Sequence, residues 1–69
     1  MRTERKKLKV GSTYFMDNSE RVKGVFVQRK GDTIFFDCGE DHYYYHSIVP
    51  GKEHLVSFMS EGEGFEEVK

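Results

Sequence analysis

Apolar residues never recur at spacings of three, four and seven over two helical turns, so no long amphipathic helix is expected anywhere in this chain. Alternation takes its place. Arg21 to Lys30 reads as a strand with Arg21, Lys23, Val25, Val27 and Arg29 on one face and Val22, Gly24, Phe26 and Gln28 on the other. His54 to Met59 sets His54, Val56 and Phe58 against Leu55, Ser57 and Met59. Thr33 to Cys38 carries Ile34, Phe35 and Phe36 in succession, the pattern of a central strand covered on both faces. His42 to Val49 is rich in aromatic and β-branched residues, which favours extended backbone. Leu8 to Met16 is expected as an opening strand bent at Gly11-Ser12, and Phe65 to Val68 as a short closing one.

Turn residues separate these runs. Asp17-Asn18-Ser19-Glu20 and Gly39-Glu40-Asp41 are polar turn clusters. Lys30-Gly31-Asp32 suits a hairpin, with Gly31 at the positive-φ position of a type I turn plus bulge. Val49-Pro50-Gly51-Lys52 has the proline and glycine of a type II turn. Gly24, inside an otherwise regular strand, marks a sharp bend or a close approach of another backbone. Short strands joined by short turns predict an all-β fold, either a small SH3-like barrel or a strongly bent meander of five to six antiparallel strands.

Sixty-nine residues make one small β domain, 1–69. Such a chain buries only about 60% of the surface its unfolded form exposes, and small domains lean on disulfides, metals or self-association. One cysteine admits no internal disulfide and fits a reducing, cytoplasmic setting, so self-association is the expected support. The basic start is followed by no secretory apolar segment, and no run approaches the roughly 20 apolar residues of a membrane span. A net charge of −1 argues against a dedicated binder of duplex DNA. The charges are uneven, however. Arg2, Arg5, Lys6, Lys7 and Lys9 crowd the N-terminus, where residues 1–7 are expected as a basic, flexible arm or at most one helical turn, and an acidic glycine-glutamate loop spans 60–64. Mutual attraction of two solvated ends is favoured over an anion-binding arm.

Cys38, His42 and His46 form C-x3-H-x3-H, a spacing that invites a metal. In a strand the two histidines lie about 13 Å apart at roughly 3.3 Å per residue, too far to share one ion, so no metal and no cofactor is expected. Cys38 with His46 or His54 and Asp37 could be drawn as a nucleophile, a base and its orienter. A cysteine ending an apolar strand is more simply a packed side chain, and no enzyme is expected. Tyr43, Tyr44 and Tyr45 are the main binding candidates. Tyr44 shares a face with His42, His46 and Ile48, while Tyr43 and Tyr45 face the other way, so at least one ring meets solvent. Such a ring can anchor a protein partner or stack on a base. Ordinary cross-strand packing explains the run equally well. Arg21, Lys23, Lys6 and Lys7 could supply cations beside these rings, or cover strand edges with their stems.

The order strand, glycine-kinked strand, strand, then Tyr44-Tyr45-His46-Ser47-Ile48 and Val49-Pro50 resembles the bacterial Sm-like RNA chaperones over roughly residues 13–50. Tyr45 stands where that family has lysine, and residues 1–9 are too short and basic for its opening helix. The resemblance implies a ring-forming barrel with His46 as a contact to RNA. From the residues themselves, the expected function is that of a non-enzymatic regulatory module acting by protein–protein interaction, self-associating, in the manner of a phage-type inhibitor of a host process. Binding of a nucleotide or single-stranded nucleic acid is the alternative.

Overall fold

The computed structural model describes residues 2–16, 19–39, 48–49 and 51–68, with the backbone alone for residues 19–21, 48 and 53. Seven strands are described: β1 (Arg2–Thr3), β2 (Thr13–Met16), β3 (Ser19–Lys30), β4 (Thr33–Asp37), β5 (Ile48–Val49), β6 (Lys52–Met59) and β7 (Phe65–Glu66), with a 3-10 turn at Arg5–Lys7. The fold is all-β, as the alternation requires. Its strands form a five-stranded antiparallel sheet in the order β2-β3-β4-β6-β5 and a two-stranded one, β1-β7. A single bridge, Tyr14 to Glu67, ties the small sheet to the β2 edge, beside a hydrogen bond from the Val68 amide to the Thr13 carbonyl. The described strands close no barrel, and β6 between β4 and β5 departs from a simple meander.

One face of the large sheet holds the core: Leu8, Tyr14, Met16, Val22, Phe26, Ile34, Phe36, Cys38, Val56 and Phe65, with Phe58 packed against it. Phe36 is the hub. Its ring lies 4.9 to 6.1 Å, centroid to centroid, from those of Tyr14, Phe26, Phe58 and Phe65. Gly24 makes this packing possible. A Cβ there would sit 3.0 Å from Cys38 Sγ, 3.1 Å from Met16 Sδ and 3.1 Å from Phe36 Cβ. The expected close approach at Gly24 is therefore one of neighbouring side chains pressing on bare backbone. Gly31 (φ +59°) and Gly51 (φ +79°) take the left-handed positions of their turns. Lys30 pairs directly with Thr33, so the first is a two-residue turn of the primed kind, without the expected bulge.

The bulge lies elsewhere. Phe26 pairs with Phe36 but Gln28 with Phe35, leaving Val27 as an extra residue in β3. Before it, Val22, Gly24 and Phe26 point into the core; after it the faces exchange. Arg29 therefore does not share a face with Lys23, contrary to the simple alternation: its guanidinium lies 5.9 Å above the Phe26 ring. Thr33 to Cys38 is the central strand, between β3 and β6, but it is fully covered on one side only. Ile34 and Phe36 are buried, whereas Thr33, Phe35 and Asp37 are half-exposed. The opening strand expected over 8–16 is shortened to Thr13–Met16, because the expected bend is a full turn at Val10 and Gly11 that leaves residues 8–12 outside any strand. The Tyr14 hydroxyl fastens that turn by accepting the Lys9 amide at 3.0 Å.

Residues 2–7, expected as a flexible arm or at most one helical turn, are built into the fold: β1 pairs with β7, and Arg5–Lys7 forms a 3-10 turn against the acidic loop. The strand expected from His42 is described at Ile48–Val49; residues 42–47 lie outside the described residues.

Candidate protein-binding face

The two charged ends do meet, but through backbone. Arg5 donates Nε–H to the Glu63 carbonyl at 2.6 Å and Nη1–H to the carbonyls of Met59 at 2.8 Å and Glu61 at 3.3 Å. Its guanidinium carbon also lies 4.9 Å above the Phe65 ring and 5.8 Å above that of Phe58. Arg2 donates to the Gly64 carbonyl at 2.7 Å, and Arg29 donates to that of Arg5. Planar guanidinium groups suit this work, since each offers several N–H donors in a fixed fork. The 60–64 loop is thus wrapped around Arg5.

That use of the arginines decides much about the sequence candidates. Lys7 lies 3.3 Å from the Glu4 carboxylate, an exposed pair worth well under about 1 kcal/mol. Lys6 is exposed at the mouth of an open groove shared with Glu4, Arg5, Ser60, Glu61 and Gly62. Lys23 stands 5.9 Å above the ring of its cross-strand partner Phe15. Arg21 lies within β3. Tyr43, Tyr44, Tyr45 and His46 lie outside the described residues. Among the described residues no three His, Cys, Asp or Glu side chains gather as a metal site needs, and no helix is long and apolar enough to cross a membrane. Cys38 is buried at the end of β4, its amide donating to the His54 carbonyl at 2.9 Å.

What alternation alone does not reveal is the outer face of the large sheet. Phe15, Val25, Phe35 and Leu55 are half-exposed there, on one face but in neighbouring rows: Val25 and Leu55 flank Asp37, Phe35 lies between Gln28 and Ser57, and Phe15 is opposite Lys23. Gln28, Lys30, Phe35, Val49, Lys52 and Leu55 line a shallow depression of about 220 Å³. Its floor is apolar, and among the described residues its two charges are both lysines. Small-molecule sites usually enclose some 300–1,000 Å³, so this hollow fits one or two side chains rather than a substrate. Beside it Met59 is 71% exposed. It pairs with Thr33, the cross-strand partner of Lys30, which places Met59 on the same face at its upper rim. Asp37, opposite Leu55, turns Oδ1 to the Gly39 amide at 2.9 Å. The signal for this face was present in Phe35 and Leu55, one residue out of step with the core positions. The Val27 bulge hid it by bringing Gln28 and Lys30 to the outside. No family model, no curated protein and no solved structure matches the chain, so the likeness to Sm-like chaperones gains nothing from them.

Proposed function

We propose that this protein is a non-enzymatic module that works by protein–protein contact, and that the outer face of its large sheet is the contact surface. The observation that carries this reading is the depression floored by Phe35, Val49 and Leu55, with Met59 exposed beside it. Apolar groups at the centre and long polar side chains around them are the anatomy of a small interface. A hollow of side-chain size gives an anchor residue a place to bury. A regulator or inhibitor inside the cell is a use consistent with so small a module and with its single cysteine.

The test is a comparison of Phe35→Ala, Leu55→Lys and Lys6→Gln/Lys7→Gln proteins in capture of partners from extracts of the source cell. The first two should lose a partner that the third retains. Retention by all three would refute the reading. Capture of nucleic acid instead, with affinity falling steeply between about 50 and 200 mM salt, would favour the alternative ligand.

A further inference from the structure

We propose that a second copy of this chain covers the outer face, in a two-fold dimer whose contact is used twice. This inference rests on the reading of that face as a protein-binding surface and names its occupant. The argument is complementarity within one molecule. The depression offers an apolar floor of Phe35, Val49 and Leu55, with Lys30 and Lys52 also lining it. Its complement is an apolar side chain followed by carboxylates. The chain carries that complement at its own surface: Met59 is 71% exposed, and Ser60, Glu61, Gly62 and Glu63 follow it, with both glutamates exposed.

Geometry favours a closed pair over an open chain. Met59 and the depression lie on the same face of the same sheet, separated by the width of one strand pairing at Thr33. Two copies facing each other across a two-fold axis can therefore each insert Met59 into the other's hollow, which is the self-complementary arrangement that closes. Glu61 of each copy then meets Lys30 and Lys52 of the other. Among the described side chains the remaining charges of the face are Lys23 and Asp37, with Asp32 at the rim beside Met59 and Glu61. They carry both signs, so no block of like charge opposes the approach. Size also suffices. The two longer extents of the molecule are 31 and 28 Å, enough to present the ~800 Å² per partner of an ordinary stable interface. Arg5 contributes indirectly, because its bonds to the carbonyls of Met59, Glu61 and Glu63 hold the inserted segment in one shape. A preformed loop loses less entropy on docking than a mobile one.

Sedimentation equilibrium from about 1 µM to about 1 mM protein measures the association. The expected result is a dimer that Met59→Lys and Lys52→Glu each weaken by about a hundredfold, roughly tenfold for each of the two equivalent contacts. Combining Lys52→Glu with Glu61→Lys should recover most of the loss, which no unfolding effect would do. Proton spectra of each variant confirm that the fold persists. A monomer at the highest concentration overturns the proposal, as does a dimer indifferent to both single changes. If the wild type is monomeric while Phe35→Ala still loses a cellular partner, this inference fails and the functional reading stands.

Discussion

Gly64 tests whether the two ends of the chain are as tightly joined as their geometry implies. It does not hold one of the positive φ angles found at other glycines of the chain, so alanine would be acceptable to its backbone. On conformational grounds alone the change to alanine should stabilise by about 0.4–1 kcal/mol, since the unfolded chain loses freedom. The structure reverses the sign. A Cβ at residue 64 would stand 2.3 Å from the Thr3 carbonyl oxygen and 2.8 Å from its carbon. Carbon and oxygen in close contact sit near 3.3 Å, so one backbone must retreat by about 1 Å. The strand that can retreat is β1, held by pairing at Arg2 with Glu66 and Thr3 with Phe65. Losing that pairing and the Arg2 bond to the Gly64 carbonyl removes about three hydrogen bonds at about 1 kcal/mol each. Offset by the entropic gain, the net cost is about 2–3 kcal/mol. In a domain of this size that lowers the melting temperature by some 10–20 °C. Thermal unfolding of Gly64→Ala measures it, with amide exchange at Thr3 and Phe65 reporting the local loss. Gly31→Ala is the control: nothing lies within 4 Å of its added carbon, but its φ of +59° should cost about 1–2 kcal/mol and leave Thr3 protected. An unchanged or raised midpoint for Gly64→Ala would refute the reasoning.

Other expectations follow from the same contacts. Arg5→Lys should destabilise by about 1–2 kcal/mol in urea unfolding and speed exchange across 59–64, because a single ammonium cannot reach three carbonyls and still cover the Phe65 ring. Gly24→Ala should cost about 1–3 kcal/mol by crowding Cys38, Met16 and Phe36; Cys38→Ala in the same chain should relieve part of that, seen as a coupling in a double-mutant cycle. Phe36→Ala removes the ring that four others touch and should cost about 3–5 kcal/mol, enough to leave the chain largely unfolded by circular dichroism. Tyr14→Phe deletes only the acceptor for the Lys9 amide and should cost about 1 kcal/mol or less, since that amide is near solvent.

Strand positions were legible in the sequence wherever one face is dry. Val22, Gly24 and Phe26 in β3, Ile34 and Phe36 in β4, and Val56 in β6 alternate with polar or half-exposed neighbours, and each is buried. The turns at Gly31 and Gly51 were legible because a positive φ leaves few residue choices. Alternation failed at Val27, where one inserted residue exchanges the faces without changing the composition of the strand. Over residues 8–12 the bend was legible at Gly11, whose φ is +92° in a turn closed by the Ser12 amide on the Lys9 carbonyl, but the loss of strand pairing before Thr13 was not. The joining of the ends is a long-range matter: Arg5 and its carbonyl partners are 54 to 58 residues apart. The candidate face was hidden for the same reason, since Phe35, Val49 and Leu55 come from three strands that only the register brings together.

The fate of the basic residues bears on which ligand this surface suits. Read as a string, the N-terminus offers Arg2, Arg5, Lys6, Lys7 and Lys9 to any anion. In the fold, Arg2 and Arg5 spend their donors on backbone carbonyls and Arg29 does the same. Lys7 stands beside Glu4 and Lys23 over Phe15. A polyanion is held by several cations along one track, and its affinity grows with the phosphates they neutralise. The arginines best suited to phosphate are already engaged in holding the C-terminal loop. Among the described residues, what lines the hollow of the outer face is Lys30 and Lys52 around an apolar floor, a pattern that rewards one buried side chain and one or two carboxylates. Lys30→Gln and Lys52→Gln should accordingly weaken protein contact through this face by a few-fold each, with a shallow salt dependence near that of two screened charge pairs. A steep dependence, equivalent to six or more phosphates, would mean that a track of cations exists after all.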